Sequence, residues 1–121
     1  MPKSRSRIPA VLPFGIKNRM QTELPALVAL TAIGEPWFCD VHQNDLLAVA
    51  LVVSELAEPS SLQAESAFAL QRLCETPITL EQKADVALHL AECLPWLQLQ
   101  PNPRIQRALQ AITARCYRLA A

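Results

Sequence analysis

At 121 residues, with no net formal charge, the chain has the length of one domain and can bury roughly two thirds of its unfolded surface without metal or disulfide staples. No run approaches the ~18 apolar residues of a membrane span, which excludes a spanning helix. Four cysteines lie far apart with no Cys-x-x-Cys pair, which excludes a dense disulfide framework and fits reduced thiols in a cytoplasmic protein.

The first segment, residues 1–13, alternates Ser with Lys or Arg and has three prolines. Its apolar content is too low to fold alone, so it reads as a flexible basic arm ahead of a domain at 14–121. It imitates a signal peptide, but Pro9 and Pro13 break the apolar patch and Lys17 and Arg19 follow closely. An organellar transit peptide is the lesser alternative.

Only two glycines and an abundance of Ala, Leu, Gln and Glu between ten prolines favour helices over strands. A first helix is expected from Phe14 or Ile16 to a stop at Gly34 and Pro36, kinked at Pro25, with Ile16, Met20, Leu24, Leu27 and Thr31 on its inner stripe. Asp40 with Gln43 has the form of a capping box and opens a second helix that runs to Glu58, before Pro59. Ser60 with Gln63 repeats that form for a third helix to about Glu75, and Thr79 with Gln82 for a fourth, which Pro95 disturbs near its end. The stretch 95–103 reads as a stiff connector, and Asn102 as cap with Pro103 at the first helical position starts a fifth helix to about Leu119.

Residues 46–53 are eight consecutive apolar positions. A buried strand would look similar, but the length, the alanines and the lack of a second strand-like run favour a helix buried on every side. The expected fold is therefore all-α: a single-domain bundle of about five short helices packed around that central one.

Charge is unevenly placed. Residues 1–22 have five basic side chains and no acid, residues 23–92 hold all eleven acids against Arg72 and Lys83, and residues 93–121 have four arginines and no acid. On a helical wheel Arg104, Arg107, Arg115 and Arg118 share one stripe, apart from the apolar stripe of Ile105, Leu109, Ile112, Cys116 and Leu119. Four guanidinium forks can track phosphates or grip an acidic protein surface, and with Lys3, Arg5 and Arg7 they form the candidate nucleic-acid contact. The plainer reading has them neutralised by the acidic middle of their own chain. Phe68 and Trp96 fall off the apolar stripes expected for the third and fourth helices, Leu62/Ser66/Ala69/Leu70/Leu73 and Leu80/Ala84/Ala87/Ala91/Leu94. They are the candidate partner or self-association residues, or else the second apolar face of a middle helix.

Chemistry is sparse. Cys39 with His42 and His89 with Cys93 form a weak zinc ligand set, but His89 sits opposite its helix's apolar centre beside Asp85 and Glu92, where a solvated histidine is ordinary. Cys39 and His42 are also the only local nucleophile and base. With Gly15 and Gly34 as the only glycines, no phosphate-cradling loop can form, and Glu-x-x-His does not occur. The expectation is a non-enzymatic protein-binding module, regulatory or adaptor-like, without cofactor or small-molecule substrate and able to form a homodimer. The alternative is a small nucleic-acid-associated regulator.

Overall fold

The computed structural model describes residues 19–120, with side chains described over residues 19–115. The basic arm with Lys3, Arg5 and Arg7, the expected helix start near residue 14, and the side chains of Cys116, Arg118 and Leu119 lie outside the described residues. Five α-helices follow in order: α1 (Leu24–Ala32) behind a π-helical turn (Arg19–Glu23), α2 (Asp40–Leu56), α3 (Leu62–Leu73), α4 (Lys83–Gln98) behind a 3₁₀ turn (Leu80–Gln82), and α5 (Asn102–Ala120). There is no strand among the described residues, and the helices pack as one bundle, as the composition requires.

α2 is the centre. It touches each of the other four helices, and no residue of the 46–53 run is exposed: Leu46, Val49, Ala50, Val52 and Val53 are buried, while Leu47, Ala48 and Leu51 are half-buried. The start differs from the expected box. Cys39 has extended backbone and is the N-cap, and His42 Nδ1 accepts the Cys39 N–H at 3.1 Å. Asp40 is the first helical residue, where a carboxylate meets the positive end of the helix dipole. The Phe38 ring stacks on His42 at 5.6 Å and fixes the imidazole in place. Gln43, released from capping, donates Nε2 to the carbonyls of Cys74 at 3.2 Å and Thr76 at 2.7 Å, and its Oε1 accepts the Ile78 N–H at 3.3 Å. One side chain thus satisfies three backbone groups of the α3–α4 linker, which has no ladder of its own.

Pro25 lies in the first turn of α1, where its missing N–H is no loss, so the expected kink gives way to a π-helical turn ahead of it. The stripe is also inverted. Ala26, Ala29, Ala32 and Ile33 face the core, while Met20, Leu24, Leu27 and Thr31 are exposed. Small side chains on that face permit a close approach to α2. Gly34 ends the segment at φ +87°, and a Cβ there would stand 2.6 Å from Leu80 Cδ1.

α3 starts one residue later than the Ser60 box implied: Ser61 Oγ accepts the Ala64 N–H at 3.1 Å and donates to the Glu58 carbonyl at 2.7 Å. The Thr79–Gln82 box forms as expected, with Gln82 Oε1 accepting the Thr79 N–H at 2.9 Å. α4 then runs through Pro95 to Gln98, because Leu94 and Leu97 on either side of the proline are buried and hold the turn that lacks one backbone bond. Its core stripe is Val86, Leu90, Cys93 and Leu97; of the expected stripe Leu94 is buried and Ala87 half-buried, while Leu80, Ala84 and Ala91 are exposed. At α5 the Pro101 carbonyl accepts the N–H groups of Arg104 and Ile105, which makes Asn102 the first helical residue instead of the cap. The Asn102 Oδ1 is buried without a partner among the described residues.

Candidate docking groove between α3 and α4

α3 and α4 are antiparallel neighbours in sequence joined by a short linker, and their outer sides leave a trough. It consists of two adjoining depressions of about 480 and 450 Å³ that share Ala69 and His89. Asp85, Leu88, His89 and Glu92 recur at three- and four-residue spacing along α4, and Leu62, Glu65 and Ala69 do so along α3, so each helix lends one stripe. Because Ala69 is small, the floor is low between larger walls. Three of those walls are apolar and open to water: Phe68 is 58% exposed, Leu62 58% and Leu88 67%.

Phe68 therefore lies where the sequence placed it, off the core. The Arg72 guanidinium stands 5.9 Å from its ring centre and pairs with Glu75 at 3.6 Å. The carboxylates of Glu65, Asp85 and Glu92 make no ion pair among the described residues. Trp96 differs: it is half-buried and packs against the hydrophobic core, on α4's second inward face. Leu62, expected on the core stripe of α3, lies on the groove wall, and His89, expected on an open face, is half-buried within the groove. The signal for Leu88 was its spacing, three residues after Asp85 and four before Glu92, which puts it on the acidic face of α4.

The arginine stripe is partly engaged within the fold. Arg104 donates to Gln100 Oε1 at 2.6 Å and to the Leu56 carbonyl at 3.2 Å, and Arg115 pairs with Glu55 at 2.9 Å. Arg107 is exposed and makes no ion pair among the described residues. The zinc ligand set does not assemble. Cys39 Sγ and His42 Nδ1 approach to 3.5 Å, but Cys93 is fully buried and His89 lies in the groove, and no cluster of three or more ligating side chains occurs among the described residues. Nor is Cys93 a ready thiolate: burial, with the nearby Glu92 charge adding to it, pushes its pKa up to about 12, and burial pushes Cys74 to about 11. A separate depression of about 260 Å³ is lined by Cys39, Cys74 and Gln43, whose amide is already taken up by the linker.

Among the described residues no helix is long and apolar enough to cross a membrane. The chain shows no significant match to any protein-family model, curated protein or solved structure, so its function has to be argued from its own surface.

Proposed function

We propose that the protein is a non-catalytic binding module that docks a segment of another protein in the α3–α4 groove, in a regulatory or adaptor role. The observation that carries this is the grouping of Phe68, Leu62 and Leu88 around one trough, each more than half exposed. Contiguous large apolar side chains facing water are uncommon on monomers and mark partner surfaces, and a central aromatic is the usual anchor. Parallel affinity capture with the wild type and a Phe68→Glu variant of unchanged helicity tests it. A partner held by the wild type and lost from the variant supports the reading, and one held equally by both removes it.

Self-association is a second reading, favoured by the inverted stripe of α1. Val28 is more than half exposed there, beside the exposed Leu24 and Leu27, on a helix without a single charged residue. A helix apolar all round normally lies between partners, and its uncharged outer face is complementary to itself about a two-fold axis. Light scattering should then show a dimer that Val28→Glu converts to monomer. The nucleic-acid alternative draws the least support, since Arg104 and Arg115 already have partners in the fold.

A further inference from the structure

We infer that the segment docked in the α3–α4 groove is a basic amphipathic helix supplied by a partner protein; this rests on the docking function proposed above. The groove is formed by two helices with no strand edge to extend, which suits a third helix lying along them. α3 has twelve residues, about 18 Å or three turns. That length accepts apolar anchors at i, i+4 and i+7 of the incoming helix, seated on Leu62, Phe68 and Leu88 over Ala69.

The charges then choose the sign of the partner. Glu65, Glu75, Asp85 and Glu92 border the trough against a single guanidinium, Arg72, which already pairs with Glu75. Three carboxylates thus stand without an ion pair among the described residues, Glu65 on α3 and Asp85 and Glu92 on α4. Lys or Arg flanking the apolar stripe of the incoming helix would answer both banks at once. Acidic helices, nucleic acid and anionic lipid surfaces are repelled by the same groups.

The test uses the full-length protein and three synthetic helical peptides with one common apolar stripe, flanked by Arg, by Gln or by Glu, titrated at low and high salt. The Arg peptide is expected to bind best, at least about tenfold tighter than the Glu peptide, with the advantage shrinking as salt rises. Changing Glu65→Gln, Asp85→Asn and Glu92→Gln together should remove that advantage at unchanged helicity. If the Gln or Glu peptide binds as tightly, the groove still docks a helix but the inference of a basic partner is overturned. If no peptide binds the wild type, and none binds a full-length Lys3→Gln, Arg5→Gln, Arg7→Gln variant, the docking function falls as well. Binding of the Arg peptide to that variant alone would assign the groove to the chain's own N-terminal segment. A wild type that takes up no Arg peptide and is a dimer by light scattering, monomeric in Phe68→Glu, would assign the groove to a second copy. Either result overturns the inference.

Discussion

Arg115 on α5 and Glu55 on α2, sixty positions apart in sequence, meet at 2.9 Å across the surface of the bundle. It is the one ion pair between the C-terminal arginines and the acidic middle of the chain among the described residues. Both side chains are partly exposed, so their coupling is modest: a double-mutant cycle of Arg115→Ala and Glu55→Ala should give less than about 1 kcal/mol. A coupling several times larger would mean that α5 depends on this contact, where the structure has it held by Ile105, Ala108 and their apolar neighbours.

Gln43 is expected to matter more than its polar character suggests. Gln43→Ala removes its contacts to Cys74, Thr76 and Ile78 and leaves the part-buried Cys74 carbonyl and Ile78 N–H without it, while the Thr76 carbonyl can turn to water, a loss of about 1–3 kcal/mol. Urea unfolding measures it, and hydrogen exchange should show the Ile78 amide losing protection first.

Within the central run, exposure separates two substitutions. Leu46 is completely buried, and Leu46→Ala should cost about 2–5 kcal/mol. Leu46→Asp places a charge in that site and should unfold the domain. Leu51 is half-buried, so Leu51→Asp, which a run buried on all sides would not tolerate, should leave a folded but weakened protein. Circular dichroism and thermal unfolding distinguish the two.

What the sequence makes legible here is the chain's punctuation. Pro59, the Thr79–Gln82 box and the apolar run at 46–53 locate three elements within a residue or two, because prolines and caps act locally. Choosing the inward face failed on α1 and α4. On α1 the large residues looked like core, yet the alanines face inward; on α4 the alanines looked like core, yet Val86, Leu90 and Leu97 do. Periodicity reports that a stripe exists, and which neighbour it meets is settled by the packing of the whole bundle. Phe68 was legible because it stood off any stripe, whereas Trp96 shared that mark and packs inward. The groove itself was not legible, since it belongs to two helices and exists only once they pair.

The buried thiols give a pH dependence with a definite sign. Cys93 has an ordinary value of 9.0 that burial raises to about 12 in the fold, so folding favours the neutral thiol. Its contribution is fully present below pH 9 and is lost as pH climbs toward 12, because the unfolded chain releases the proton first. The unfolding free energy of the wild type, from urea titrations, should therefore fall more steeply from about pH 8.5 upward than that of Cys93→Ala. Thiol labelling located by mass spectrometry should modify exposed Cys39 well before Cys93.

The most direct measurement of the docking function is amide chemical-shift mapping during titration of the full-length protein with the Arg-flanked helical peptide. The shifts should concentrate in Leu62–Leu73 and Lys83–Gln98, centred on Ala69 and His89, and vanish in Phe68→Glu. Shifts confined to Leu24–Ala32 or to α5, or a pattern unchanged by Phe68→Glu, would contradict the assignment of function to the α3–α4 groove.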